Sequence, residues 1–481
     1  MKTKVIDEKM FIAGKWRSTE RTFDVFDPED NKLIAKVPSA TGSDVREAIE
    51  KAFNVFQHLH SWPTHERIRV LQRTANYIKE HKEKYALTIA LEGSKTINEA
   101  RGEVKRTIQT LTISAEEARR INGETINFDQ NDGSENRVGY HYQFPIGVIA
   151  AITPFNDPLN LVAHKIGPAI AAGNPIVVKP ASATPLSALL LAEAFAHAEL
   201  PDGYLSVIPG SGSEIGETLI THPYIKMVSF TGGLKAGEKI AHQTGIKKVN
   251  MELGSNSPVI VMDDADIQDA VQACVSGAFS AVGQNCIGVQ RIFVQNSTYQ
   301  PFIEAFVERT RELNIGKKMS ELTDIGPMIN ETEAIRVESW VNEAKLEGAI
   351  IRTGGNRKGA FYEPTVLTDV PEHVTIAQEE VFGPVVLIYS FNQLSEAVTR
   401  SNEVNYGLHA GIFTSNINSA FYTIKHLDVG GVMINDSSDY RIDAMPFGGV
   451  KGSGLGREGI RSAINAMTES KVVCFRIQDL N

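Results

Sequence analysis

A chain of 481 residues, 42% hydrophobic and 22% charged, can bury a large core and has room for about two to four domains of ordinary size. Its 48 Lys plus Arg against 58 Asp plus Glu leave a net charge of −10, which excludes charge-driven binding to nucleic acid or to an anionic membrane. Three cysteines without CxxC spacing and twelve histidines without an HExxH motif or a Cys/His cluster point to no disulfide framework and no metal site.

The N-terminal stretch MKTKVIDEKMFIAGKW sets Asp7 and Glu8 where a signal peptide needs an apolar run, and no stretch approaches the roughly 18 to 20 apolar residues of a membrane span. A cytoplasmic protein with free thiols at Cys274, Cys286 and Cys474 is expected. Ser43 is placed to cap a helix in which Val45, Ala48, Ile49, Ala52, Phe53 and Phe56 recur every three or four residues. Helical spacing continues from Thr64 to about Glu92 and from about Glu99 to Ile121, with Gly93 and Gly123 suited to ending the two segments. The polar stretch 127–144 alternates and carries Asp132-Gly133, a hairpin-turn signal.

From residue 147 the rhythm changes to short apolar strands separated by amphipathic helices, the pattern of βαβ units around a parallel sheet. The strands read as "GVIAAIT" (147–153), "PIVVK" (175–179), "YLSVIPG" (204–210), "KMVSFTG" (226–232) and "VNMELG" (249–254). A second strand-and-helix series opens at "PVIVMDDADI" and runs to about Gly449, so a second α/β lobe is expected. The 127–144 hairpin and the late strand "SKVVCFRI" form either an intersubunit sheet or an ordinary surface hairpin.

Several residues have types suited to chemistry. Cys286, in "GQNC" before an apolar strand, is a candidate nucleophile, although a lone cysteine is more often a small buried hydrophobe. Glu252 ends a predicted strand, where a carboxylate can act on water or simply be solvated. Asn156 in "TPFNDP" can donate to an oxyanion or shape a turn. Lys179 stands at the carboxyl end of a strand, where open parallel sheets bind nucleotides. Gly210, Gly212, Gly216, Gly232 and Gly233 lie in strand-to-helix turns, a weak signal on their own.

In their fixed order the segments "TPFN", "VVKP", "FTGG", "MELGSNSP", "GQNC", "EEVFGPV" and "PFGGVKGSGLGREG" resemble those of the aldehyde dehydrogenase superfamily over almost the whole chain. The resemblance implies an α/β fold of two Rossmann-type lobes with a small β oligomerisation arm. Residues 1–122 and 146–252 would form the cofactor-binding domain, 253–448 the catalytic domain, and 123–145 with 463–481 the arm of a homodimer or homotetramer. It further implies that Cys286 attacks the aldehyde, that Asn156 and the Cys286 N–H hold the oxyanion, that hydride passes to a nicotinamide, and that Glu252 activates the water releasing the acid.

For the cofactor, the resemblance assigns Lys179 to the adenosine ribose, Gly212 and Gly233 to the adenine and pyrophosphate side, Glu380 to the nicotinamide ribose and Phe382 to the ring's flank. Thr153, Pro154, Phe155, Gly216, Phe230, Gly232 and Leu253 belong to the same implied site. Ser182 stands where a glutamate often repels a 2′-phosphate in this family, so NADP is expected to serve at least as well as NAD.

The implied substrate tunnel is lined by Arg106, Asp157, Leu161, His164, Asn285, Ile287, Tyr440, Arg441 and Phe447. Its polarity argues for a small hydrophilic aldehyde, hydroxylated or anionic, with Arg106 and Arg441 as candidate anion clamps. Against the clamp, Arg441 can pair with Asp439 or Asp443, Arg106 can be solvated, and Asn285 replaces the arginine that often precedes the nucleophile in members binding anionic aldehydes. The alternatives are a CoA-acylating semialdehyde dehydrogenase, which typically lacks a carboxylate at position 252, a non-catalytic binding protein on the same fold, and a thiol hydrolase.

Overall fold

The computed structural model describes residues 5–58 and 62–478. Residues 1–4 and 59–61 of the expected cofactor-binding segment, and 479–481 of the expected arm, lie outside the described residues.

The strands Val148–Ile152, Ile176–Lys179, Leu205–Val207, Ile225–Thr231 and Lys248–Glu252 appear where the apolar runs place them. They pair in parallel. Their runs are continuous because both faces are covered: Ile149 and Ala151 join one core cluster, while Val148 and Ala150 join another. The first face packs against helices including Thr64–Glu80, Ile97–Ala118 and Asn160–Ala172, and the second against Gly42–His58 and Gly212–Thr221.

From Val148–Ile152 the sheet grows through Ile176–Lys179 to Leu205–Val207, then the chain returns to add Ile225–Thr231 and Lys248–Glu252 on the other side. The reversal opens a crevice between Val148–Ile152 and Ile225–Thr231, the place where open α/β sheets bind ligands. Register pairs Ile152 with both Lys179 and Phe230, and Thr231 with Glu252, so the strands' carboxyl ends form one row. Beyond Lys248–Glu252 the sheet is closed by an antiparallel pair from far along the chain, Gly454–Leu455, with Glu252 opposite Gly454.

A second, seven-stranded sheet holds Val289–Gln295 at its centre, between Ser257–Val261 and Val385–Phe391. It has a separate core that includes Ile260, Ile292, Phe306 and Leu387. Arg137–Pro145 pairs along its whole length with Thr468–Arg476 and carries Glu124–Ile126 on its other edge.

Four local expectations change. The Thr64 to Glu92 segment is two helices, Thr64–Glu80 and Lys82–Glu92, broken at His81 (φ −109°, ψ 21°). The first helix begins at Gly42, where Thr41 rather than Ser43 exchanges bonds with Asp44, its N–H donating to Oδ2 at 2.8 Å. The third predicted helix is Ile97–Ala118, opened by a Thr96/Glu99 capping box. Ile126 pairs with Gly139, so Asp132-Gly133 turns within a long loop and not in a tight hairpin. The N-terminal strands Met10–Ile12, Lys15–Arg17, Thr22–Phe26 and Leu33–Pro38 carry no period long enough to read.

Candidate active site

Cys286 lies in the loop between the helix Ile267–Phe279 and the strand Val289–Gln295. Ala281 (φ 51°) and Val282 (φ 52°) both adopt the left-handed region, a genuine outlier for a β-branched residue. Such strain costs roughly 1–3 kcal/mol per residue and persists only where neighbours over-determine it. Here Ala281 N donates to Glu99 Oε1 at 2.6 Å, Gln284 Nε2 to Ser94 Oγ at 2.8 Å, and Ile329 N to Gln284 Oε1 at 3.0 Å. Gly283 (φ 69°) passes so close to Gly383 that a Cβ would stand 2.2 Å from its carbonyl oxygen.

The Cys286 side chain is half-buried against Ile287, Leu408 and Phe447. Burial pushes its thiol up to about 12; Arg441 opposes this, while Glu380, Glu252 and Glu458 add to it. Glu252, last residue of its strand, is 2% exposed, and neither carboxyl oxygen has a hydrogen-bond partner. Burial and the Glu458 charge hold it well above the ordinary carboxylate range, against Lys165, Arg441 and Arg457. Glu458 itself forms an ion pair with Lys165. Although burial disfavours its charge, Lys165, His164 and Arg441 keep Glu458 low. A buried carboxyl with both oxygens free can take a proton from a water that reaches it.

Asn156 follows the strand Val148–Ile152 and lines one cavity of about 410 Å³ with Cys286. Arg106, Asp157, Leu161, Asn285, Ile287 and Arg441 line it too. Three other expected substrate residues do not. His164 is 2% exposed and sits behind the wall with Nε2 2.8 Å from Asp443 Oδ1; Tyr440 is exposed; Phe447 lies under Arg441, whose Cζ is 3.7 Å from the ring centroid.

The cavity's charges are unequally committed. Arg106 donates to Asp157 Oδ2 at 3.3 Å and Asp443 Oδ1 at 3.0 Å, and so is not simply solvated. Lys95 bonds Asp157 and donates to Glu103 Oε2 at 2.8 Å. Glu103 Oε1 accepts the Leu159 and Asn160 amides at the start of the helix Asn160–Ala172. Arg441 pairs with neither Asp439 nor Asp443: its nearest carboxylate is Glu458 at 3.6 Å, and its Nε and Nη2 have no hydrogen-bond partner. Sequence reasoning missed Ser94, Lys95, Glu99, Glu103, Lys165, Gln284 and Glu458. One signal was available, since Glu103 falls on the buried face of its helix with Ala100, Val104, Thr107 and Leu111.

At the sheet crevice Lys179 is 6% exposed and its Nζ donates to the Pro180 carbonyl at 2.9 Å. Burial pushes it down to about 8. Gly212 starts the helix Gly212–Thr221 close by, a Cβ there lying 3.8 Å from Lys179 Cε; Gly216 is one turn further on. Ser182, exposed, donates to the Gly210 carbonyl at 3.0 Å. Phe230 packs over Gly232, and Gly233 precedes the helix Leu234–Thr244, against which Leu253 packs at Gly237. Each of these two helices starts just after the carboxyl end of a sheet strand, a setting suited to a pyrophosphate.

Across the crevice Glu380 accepts Ser255 N at 2.8 Å, and burial raises it to about 7. This approach requires Gly254, where a Cβ would stand 2.4 Å from Glu380 Oε2. Phe382 meets Phe155 edge to face, with centroids 5.7 Å apart. Pro154 turns the chain between Thr153 and Phe155, and the Thr153 hydroxyl is buried without a partner. The unpartnered hydroxyl, the buried ammonium and the helix N-termini fit a dinucleotide. Among the described residues no group of three or more His, Cys, Asp or Glu could hold a metal ion.

Comparison with known proteins matches residues 16–473 to the model of the aldehyde dehydrogenase family. The 3-sulfolactaldehyde dehydrogenase of Priestia aryabhattai is 44% identical over 475 residues, 99% of each chain. The structure of aldehyde dehydrogenase 21 from Physcomitrella patens in complex with the reaction product succinate superposes with a TM-score of 0.97 at 42% identity, covering 99% of this chain and 100% of that one. The NADP-dependent glyceraldehyde-3-phosphate dehydrogenase from Bacillus halodurans complexed with NADP gives 0.96 at 36% identity, covering 98% and 100%. With the sheet crevice, the Cys286 loop and the buried Glu252 in the order the motifs require, the chain belongs to the aldehyde dehydrogenase family.

Proposed function

We propose that this protein oxidises a small polar aldehyde bearing an anionic end to the carboxylic acid, with Cys286 as nucleophile and NADP or NAD as cofactor. The observation carrying this reading is a half-buried thiol sharing a cavity with the Asn156 amide, while the unpartnered Glu252 carboxyl acts on that thiol electrostatically. Cys286 Sγ attacks the carbonyl carbon, and Asn156 with the Cys286 N–H donates to the oxyanion. Glu252 takes a proton from the water that releases the acid. The nicotinamide, when bound, supplies the hydride acceptor.

Lys179, Ser182, Thr153, Gly212, Phe230 and Gly233 would hold the adenosine and phosphate side, and Glu380 with Phe382 the nicotinamide side. The uncharged Ser182 leaves room for a 2′-phosphate, in keeping with the NADP held by the Bacillus halodurans relative. Arg441 lines the cavity with its charge opposed, among the described residues, only by Glu458 at 3.6 Å and with no hydrogen bond from Nε or Nη2, and would be the cation for an anionic end. Sulfolactaldehyde, succinate and glyceraldehyde 3-phosphate, named for the three relatives, all carry such an end. The CoA-acylating alternative is disfavoured by a carboxyl at position 252.

Residues 1–122 and 146–252 would serve the cofactor and 253–448 the catalysis. The sheet built on Arg137–Pro145 and Thr468–Arg476, with Tyr142, Val472 and Phe475 exposed, supports a homo-oligomer. Among the described residues no helix is long and apolar enough to cross a membrane. The test is absorbance at 340 nm with succinic semialdehyde or glyceraldehyde 3-phosphate and either nicotinamide. Reduced cofactor is expected from the wild type and none from Cys286→Ala; full oxidising activity in that variant overturns the reading.

A further inference from the structure

Residues 94–99 touch both halves of the candidate reaction centre. On one side, Ala281 N donates to Glu99 Oε1 at 2.6 Å and Gln284 Nε2 donates to Ser94 Oγ at 2.8 Å, so two bonds hold the loop that ends in Cys286. On the other, Lys95 bonds the carboxylate of Asp157, the neighbour of Asn156. Through Glu103 the same lysine reaches the amides of Leu159 and Asn160.

The segment is itself fixed. Glu99 Oε2 accepts Thr96 N at 2.8 Å and Thr96 Oγ1 at 3.1 Å. Ile97 N donates to the Lys318 carbonyl at 2.8 Å, and Lys318 Nζ to the Gly93 carbonyl at 2.9 Å. The loop it restrains is strained at Ala281 and Val282, and relaxation of either toward the right-handed region would move Cys286 relative to Asn156.

We propose that Glu99 is a positioning residue for Cys286, the first turn of the helix Ile97–Ala118 setting the separation between nucleophile and oxyanion donor. This rests on the reading of Cys286 as the nucleophile. Glu99 lines the same cavity, but both its carboxylate oxygens are engaged, Oε1 by Ala281 N and Oε2 by Thr96, so its action on Cys286 runs through the Ala281 amide.

The experiment is steady-state kinetics of wild type, Glu99→Ala, Glu99→Gln and Cys286→Ala with NADP and succinic semialdehyde. Because a displacement of about 1 Å can cost about 100-fold in rate, Glu99→Ala is expected to lower kcat about 10- to 100-fold with KM changed less than about threefold. Glu99→Gln keeps one carbonyl oxygen for Ala281 N but loses the acceptor for Thr96 N, so it is expected to recover kcat to within about fivefold of wild type while melting at a lower temperature. Equal loss in both variants, a loss confined to KM, or full kcat in Glu99→Ala overturns the proposal. Should Glu99→Ala not fold, Glu99→Asp, which keeps the charge but draws the carboxylate back from Ala281 N, is expected to lower kcat about 3- to 10-fold, and an unchanged kcat overturns the proposal. An active Cys286→Ala defeats the nucleophile assignment instead, whereas an inactive Cys286→Ala beside a fully active Glu99→Ala defeats the positioning role alone.

Discussion

Cys286 and Glu252 resist ionisation chiefly because burial strips water from each, and neighbouring carboxylates add to it. Cys286 must shed its proton to attack, and kcat/KM covers that step, so kcat/KM is expected to go on rising with pH below about 12, while the Glu252 proton shows only in kcat; a flat kcat/KM profile contradicts the role assigned to Cys286. Glu252→Gln leaves the attack on the aldehyde intact and removes the base, so a pre-steady-state burst of reduced cofactor should persist while turnover falls about 100-fold or more. Loss of the burst places Glu252 before the thioester. Arg441→Leu, which removes a buried charge from the cavity wall, is expected to raise KM for succinic semialdehyde about 10- to 100-fold and to leave propanal nearly unaffected. Parallel losses on both substrates argue against an anion site. At this scale Cys286, Glu252 and Asn156 could be singled out as candidates because each sits inside a short motif, and Cys286 and Asn156 do line one cavity. The partner of Arg441 could not be, since Glu458 lies beyond the nearer Asp439 and Asp443 and is brought to it only by the fold.

The Cys286 loop shows how little of an element's shape a local pattern records. "GQNC" announces a glycine and a thiol, but the left-handed Ala281 and Val282 depend on Glu99 and Ser94, far upstream. Gly283→Ala forces a Cβ into the Gly383 carbonyl and into a left-handed conformation, and is expected to destabilise by at least about 1–2 kcal/mol. With the nucleophile displaced, kcat should fall about 100-fold, read beside the thermal unfolding curve. The buried strands were the most legible elements, because burial on both faces writes an unbroken apolar run such as Val148–Ile152. The break at His81 was not, since neither glycine nor proline marks it. The N-terminal strands stayed hidden because they are short and their burial alternates irregularly, as in Thr22–Phe26.

For the molecule as a whole, pH dependence of stability follows from carboxyls buried between its parts. Glu92 is fully buried, accepting the Leu186 and Ser187 amides, and burial raises it from 4.5 to about 8. Below 4.5 it is protonated whether the chain is folded or not. Between 4.5 and about 8 the unfolded chain releases the proton first, so this group makes stability fall as pH rises. Glu92→Gln has no proton to lose, and its melting temperature is expected to gain on the wild type from about pH 5 to about pH 8 and then level. A constant difference across that range contradicts the assignment. The two-lobe plan was legible from the alternation of strands and helices, but the order of strands within each sheet was not, because pairing partners are chosen by crossovers that leave no local mark. The edge partner of Lys248–Glu252 is the extreme case.

That partner has a consequence for how the chain comes to be made. When Glu252 leaves the ribosome, the residues that will lie alongside its strand have not yet been translated. At about 5–20 residues per second, the roughly 200 amino acids still to come occupy about 10–40 s, during which the growing polypeptide carries an open, hydrogen-bond-hungry border. Nascent chains stalled in that interval should be the ones that engage chaperones.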